Sequence, residues 1–90
     1  MTTHDLKVHP QFWPHLFTGA KAFEIRRNDR HFSVGDVLFL RLYDPKYGYT
    51  GPNCRRVVTY ILHAEDLPVA LMPGYVALGL MDPHLMDDHK

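Results

Sequence analysis

The residues best suited to chemistry form a short charged run, Lys21, Glu24 and Arg26, that follows Gly19. Along a regular strand, alternation would put Glu24 and Arg26 on one face and Lys21 on the other. We expect Lys21 to precede the regular strand, which would let its ammonium reach Glu24. The carboxylate can accept a hydrogen bond from an N–H group of a base, and the neighbouring Lys and Arg can bind a phosphate. The structural alternative is a surface ion pair between Glu24 and Arg26, worth less than about 1 kcal/mol.

Three arginines lie within residues 26–30, and tyrosines accompany a later loop at residues 44–52. Arginine binds phosphate through two N–H groups, and both residue types stack on exposed bases of single-stranded RNA. The alternatives are a turn capped by Asn28 and Asp29, and tyrosines packed against their own hairpin. The predicted nucleic-acid-binding residues are Lys21, Glu24, Arg26, Arg27, Arg30, Tyr47 and Arg55.

The chain contains seven histidines and one cysteine, Cys54, but their spacing matches no zinc site. We therefore predict neither a metal nor a cofactor. The hydroxyl residues lack the sequence context of an activated nucleophile, and the chain has no glycine-rich phosphate loop. Whether the protein is an enzyme stays open at this point, with Lys21 and Glu24 as the candidate catalytic residues.

The composition is typical of one small globular domain: 90 residues, 46% hydrophobic and 22% charged. We assign the domain to residues 1–81 and expect a disordered acidic tail over residues 82–90. A single cysteine excludes an internal disulfide, and no apolar run is long enough to span a bilayer. The first residues lack the pattern of a signal peptide. These features predict a cytoplasmic protein, monomeric and without membrane contact.

The charges are distributed unevenly although the net charge is zero. Residues 1–60 hold nine basic and five acidic groups, a balance of +4, whereas residues 61–90 hold one basic and five acidic groups, a balance of −4. A basic region on a neutral molecule suits a small anionic ligand or a short stretch of nucleic acid. Simple solvation of a small surface is the alternative.

The hydrophobic pattern predicts mostly β-structure around one short helix that ends at Gly19. We expect a small, mostly antiparallel barrel. The predicted strands cover residues 4–9, 21–27, 37–43, 55–62 and 75–80, with regular pairing in the second of them beginning after Lys21. The predicted core consists of Phe12, Leu16, Phe23, Ile25, Leu38, Leu40, Val58 and Leu78.

The run from Gly19 to Arg26 reads G-x-K-x-x-E-x-R, and a V-G-D turn follows at residues 34–36. This pair of elements resembles the ASCH domain of the PUA-like superfamily. Further elements extend the likeness over about residues 4–80: H-x-L-K at residues 4–7, N-D-R at residues 28–30 and G-Y-V-x-L-G at residues 74–79. The ordered set is similar to a small bacterial and phage family of unknown function within that superfamily.

The resemblance implies an α+β, mostly β fold: a small PUA-like (ASCH) antiparallel barrel with one short helix after the first strand. It also implies a cleft lined by the G-x-K-x-x-E-x-R element, and an RNA- or nucleotide-binding module. The expected ligand is single-stranded or structured RNA, or a nucleoside or nucleotide. Some ASCH relatives are amidohydrolases that act on an acetylated cytidine through a Lys, a Thr and a Glu. Their Lys corresponds to Lys21, but Glu24 occupies the position of their Thr, and this activity is the alternative function.

Overall fold

A computed structural model describes residues 1–86 of the chain. The strands are β1 (Thr3–Val8), β2 (Phe23–Arg27), β3 (Val37–Asp44), β4 (Gly48–His63) and β5 (Tyr75–Met81). The helices are α1 (Trp13–Thr18) and α2 (Pro83–Met86), with a short 3-10 turn at Ala64–Asp66. Within residues 1–86, no helix is long and apolar enough to cross a membrane.

The five strands form one curled sheet in the order β1-β3-β4-β5-β2, a half-barrel whose two edges are β1 and β2. This confirms the predicted small, mostly β fold with a short helix after the first strand. Three of the four strand pairs are antiparallel, but β1 pairs with β3 in parallel. The segment that contains α1 and β2 separates these two strands in sequence, and it provides the long connection that a parallel pair requires.

The hydrophobic core lies on the inner face of the sheet, against α1. Five predicted core residues are confirmed as buried: Leu16, Leu38, Leu40, Val58 and Leu78. The prediction is wrong for three others, because Phe12, Phe23 and Ile25 are exposed. In β2 it is Glu24 that points inward, and alternation then turns Phe23 and Ile25 outward.

Helix α1 has clear boundaries at both ends. Pro14 lies in its first turn, where a missing N–H costs nothing, and Gly19 ends it with φ +88°. The buried guanidinium of Arg56, from β4, donates to the carbonyl oxygens of Leu16 and Phe17 at 3.3 and 3.0 Å. A cation at this end of a helix satisfies unpaired carbonyls and interacts favourably with the helix dipole. Arg56 is therefore a structural residue.

Two segments are more ordered than we predicted. The loop expected over residues 44–52 is a tight turn, because β3 ends at Asp44 and β4 begins at Gly48. Within the tail expected to be disordered, residues 83–86 form α2, and the Asp82 carboxylate accepts a hydrogen bond from the backbone N–H of His84. The rest of that predicted tail, residues 87–90, lies outside the described residues.

Candidate functional site

A cavity of about 600 Å³ opens between the two edges of the sheet, beside the N-terminal end of α1. We call it the edge cleft. Its lining residues are Lys7, Val8, His9, Phe12, Lys21, Phe23, Glu24, Ile25 and Arg26. The charged run singled out in the sequence therefore does line a cleft between the sheet and the segment that leads into the helix.

Glu24 is the centre of the charged cluster, with only 5% of its surface exposed. Its Oε1 accepts a hydrogen bond from Lys21 Nζ at 2.6 Å, and its Oε2 accepts one from Arg26 Nε at 2.8 Å. Lys21 reaches Glu24 because β2 begins only at Phe23, so Lys21 precedes the regular strand as expected. Two cations and one carboxylate leave this cluster with a net charge of +1.

Two aromatic side chains flank the Lys21 ammonium. Nζ lies 5.5 Å from the ring centre of Phe12 and 4.8 Å from that of Phe23, and it also donates to the Phe23 carbonyl oxygen at 2.8 Å. The rings are partly open to solvent, with 41% of Phe12 and 48% of Phe23 exposed. The edge cleft thus combines accessible aromatic surface with a fixed positive charge, which is the chemistry that binds a base and its phosphate.

Arginine side chains connect the two edges where no strand pairing does. Arg26 of β2 donates to the carbonyl oxygen of Lys7 in β1, and Arg30 donates to that of Asp5 at 2.9 Å. The carbonyl oxygen of Thr2 accepts the N–H of Val37, at the start of β3. Carbonyl groups alternate in direction along a strand, so those of Asp5 and Lys7 point away from β3, toward β2. Arg26 and Arg30 therefore bridge the gap between the two edges.

The other predicted binding residues lie outside the edge cleft and do not come together. Arg27 points outward from β2, with its guanidinium carbon 5.8 Å from the Tyr75 ring centre. Arg55 lies over Phe39 on the outer face of β3 and β4, at 4.8 Å. Tyr47 is exposed in the tight turn between β3 and β4. Arg56, the neighbour of Arg55, points to the opposite face of β4 and is buried.

Sequence reasoning missed a buried pair, His4 and Asp36, on the inner side of β1. His4 Nε2 donates to Asp36 Oδ2 at 2.9 Å, and the same carboxylate accepts the backbone N–H groups of Thr2 and Ser33. Burial alone would raise the pKa of Asp36, but the hydrogen bonds from His4, Thr2 and Ser33 and the charge of His4 outweigh it and lower the pKa. The V-G-D turn was the available signal, although it does not reveal His4 as the partner.

A second cavity of about 550 Å³ was also missed; it lies between the loop at residues 64–74 and the strand ends near it. Its polar side chains include Asn28, His63 and Glu65. The Asn28 carboxamide oxygen accepts the backbone N–H of Phe32, and the backbone N–H of His63 donates to the Asp66 carboxylate. These contacts stabilise the local turns, and they bring no charged cluster into the cavity.

The chemistry of the edge cleft favours binding over catalysis. None of its nine lining residues carries a hydroxyl or a thiol, and a cation occupies each oxygen of Glu24. The thiol of Cys54 is half-buried near Arg56, and burial raises its pKa despite that charge, which makes it a poor nucleophile. Among residues 1–86, no three His, Cys, Asp or Glu side chains are close enough to hold a metal ion.

Residues 3–80 match the model of a family described as a domain of unknown function, DUF3850. The chain belongs to this family. No curated protein matches the chain at a significant level. The description of the family names no activity, ligand or superfamily, so the resemblance to ASCH domains stays a prediction.

Proposed function

We propose that this DUF3850 domain binds a nucleotide, either free or within RNA, in the edge cleft. The observation that carries the proposal is the pairing of accessible Phe12 and Phe23 rings with the Lys21 ammonium between them. Lys7 adds a second basic group to the lining, so the cleft as a whole favours an anion. A nucleotide is a ligand that offers both a flat aromatic surface and a negative charge.

Each lining residue has a distinct role in this proposal. Phe12 and Phe23 supply surfaces on which a base can stack, while Lys21 and Lys7 attract the phosphate. Glu24 and Arg26 position Lys21, because the buried carboxylate holds both cations at hydrogen-bond distance. The contact from Arg26 to Lys7 keeps the two edges at the separation that the ligand requires.

We also propose that the domain is related to the ASCH domains of the PUA-like superfamily. Three features support this: a short helix between the first two strands, a cleft beside that helix, and a G-x-K-x-x-E-x-R element in the lining of the cleft. A solved structure of this family, compared with ASCH domains strand by strand, would test the relationship.

The binding proposal is tested by titrating the protein with uridine and adenosine monophosphates and with a fluorescent oligouridine of about eight nucleotides. Removing one stacking ring should weaken binding by roughly tenfold, so we expect this loss in Phe12→Ala. Phe17→Ala is the matched control, because Phe17 of α1 is also exposed, at 56% against 41% for Phe12, but does not line the edge cleft. Equal affinities for the two variants, or no binding to either class of ligand, would contradict the proposal.

The amidohydrolase alternative rests on one observation, the short contact between Lys21 and Glu24 in an open cavity. Amide hydrolysis needs an attacking oxygen and a base to activate it, with a donor for the oxyanion. Glu24 would have to activate a water molecule while two cations occupy its oxygens. We therefore expect no release of acetate when the protein is incubated with acetylated cytidine. Turnover by the unmodified protein that is lost in Glu24→Gln would show that the function is catalysis and not binding.

A further inference from the structure

A shallow apolar groove runs along β5 on the outer face of the sheet. The strand register places Gly79 between Phe23 of β2 and Tyr60 of β4, and Ala77 between Ile25 and Leu62. The two small residues form the floor and the four larger ones form the walls. We call this the β5 groove. Its walls are accessible, with 63% of Tyr60 and 52% of Ile25 exposed.

Gly79 lies between two aromatic residues on the outer face of the sheet. Adjacent strands are about 4.8 Å apart, so the Cα atoms of Phe23 and Tyr60 are separated by about 10 Å across Gly79. A Cβ at residue 79 would lie 3.1 Å from Thr59 Oγ1 and 3.5 Å from Tyr60 Cβ. Thr59 and Tyr60, at the bulge in β4, therefore pack closely on Gly79 and leave no room for a side chain there. Tyr60 itself is 63% exposed, so its ring offers a surface on which a base can stack.

The charges on the outer face of the sheet as a whole favour a polyanion, and one of them, Arg27 of β2, lies beside the groove, opposite Tyr75 of β5. Outward-facing strand positions hold four basic residues and one acidic residue, and the acidic residue, Asp5, is already paired with Arg41 at 3.0 Å. Each basic group lies over an aromatic ring. These pairs are Lys7 over Tyr43, Arg27 over Tyr75, Arg41 over Tyr49 and Arg55 over Phe39. Aromatic and basic side chains interleaved in this way bind single-stranded nucleic acid.

The same charges argue against a second copy of this chain as the occupant. Two identical faces with an excess of basic groups would repel each other on association. A nucleic acid strand, in contrast, brings a phosphate for each base. The groove is also continuous with the edge cleft, because Phe23 lines the cleft and forms one wall of the groove.

We infer that the β5 groove extends the edge cleft and that the ligand is single-stranded RNA, with one base in the cleft and a following base stacked on Tyr60. This inference rests on the proposed function and adds the ligand class. Phe23 is shared by the two positions, Tyr60 contributes only to the second, and Arg27 attracts the phosphates beyond it.

The test compares oligouridine of about eight nucleotides with uridine monophosphate, measuring both affinities for Tyr60→Ala and for the Phe17→Ala control. Tyr60→Ala should weaken oligouridine binding by roughly tenfold and leave mononucleotide affinity unchanged. Tyr60→Phe should restore the oligouridine affinity, because the stacking surface remains. Thermal melting of each variant shows whether the fold is preserved, as expected for a side chain this exposed.

A charge variant provides a second measurement. Arg27→Gln should reduce the slope of log affinity against log salt by about 0.7, while Lys46→Gln, in the turn between β3 and β4, should not change it. If Phe12→Ala weakens binding but Tyr60→Ala does not, the inference fails and the proposed function stands. If neither ligand binds, the proposed function fails. Self-association that Tyr60→Ala abolishes without any effect on RNA would make the groove an interface between copies and overturn the inference.

Discussion

Two buried carboxylates in the same half-barrel, Asp36 and Glu24, are stabilised in different ways. Asp36 accepts hydrogen bonds from two backbone N–H groups and from the ring of the buried His4, so the fold fixes the positions of its partners. Glu24 accepts hydrogen bonds from two long cationic side chains, Lys21 and Arg26, at the border of an open cavity. Backbone partners fix a turn, whereas flexible cationic partners can also contact a ligand. The comparison therefore assigns Asp36 to the fold and Glu24 to the site.

The largest expected effect is that of Asp36→Ala on stability. The substitution leaves the N–H groups of Thr2 and Ser33 and the buried His4 ring without their acceptor, which should cost about 3 kcal/mol of unfolding free energy. Urea denaturation measures it. Asp44→Ala is the control, because Asp44 also accepts two backbone N–H groups but in an exposed turn. A loss no larger for Asp36→Ala than for Asp44→Ala would remove the distinction between the two carboxylates.

The position of Lys21 could be predicted from the sequence, but the orientation of β2 could not. A glycine that ends a helix and a lysine two residues later are local signals, and both were interpreted correctly. Burying Glu24 while exposing Phe23 and Ile25 reverses the usual hydrophobic pattern. It is favourable only because Lys21 and Arg26 neutralise the carboxylate, and that depends on side-chain geometry that alternation alone does not specify.

The contacts that span large sequence separations were also beyond prediction. His4 is 32 residues from Asp36, and Arg56 is 40 residues from the Leu16 carbonyl that it contacts. Such pairs depend on the strand order, here a parallel β1–β3 pair, that the hydrophobic pattern does not determine. The strands and the core of β3, β5 and the second part of β4 follow from local alternation, which explains why those parts were predicted well, whereas the first part of β4, from Gly48, was predicted as a loop.

The second effect in size is that of Glu24→Gln, which keeps the shape of the side chain but removes its charge. Lys21 and Arg26 then face each other without a carboxylate between them, and we expect a loss of about 2 kcal/mol because both cations remain partly solvated. Affinity for uridine monophosphate should also fall by roughly tenfold, since Lys21 is no longer held between the Phe12 and Phe23 rings.

Glu65→Gln, in the exposed loop after β4, is the control for Glu24→Gln and should change neither quantity. Asp36→Ala, measured at a temperature where it remains folded, should keep its nucleotide affinity. Loss of affinity in that variant would show that the two carboxylates do not divide into a structural and a site role.

A third test uses the pH dependence of stability. The pKa of Asp36 is lowered below its ordinary value of 3.8 in the folded protein. Its contribution is therefore fully present above the unfolded-state pKa and is lost as the pH falls through the lower folded value. In Asp36→Asn, which cannot titrate, the unfolding free energy should decrease less between about pH 5 and about pH 2.5. Parallel curves for the two proteins would contradict the lowered pKa.

The smallest effect is expected for Arg30→Ala. Arg30 spans the same gap as Arg26, through its hydrogen bond to the Asp5 carbonyl, but it is exposed and contacts no buried carboxylate. An exposed hydrogen bond of this kind contributes about 0.5 kcal/mol, so urea denaturation should show a loss near that value, and uridine monophosphate affinity should be unchanged. Arg30→Ala could instead lower the unfolding free energy as much as Glu24→Gln does. That result would show that the hydrogen bonds between the strand edges, rather than Glu24, maintain the cleft. Glu24 would then be a secondary partner of Arg26, and the contrast with Asp36 would lose its basis.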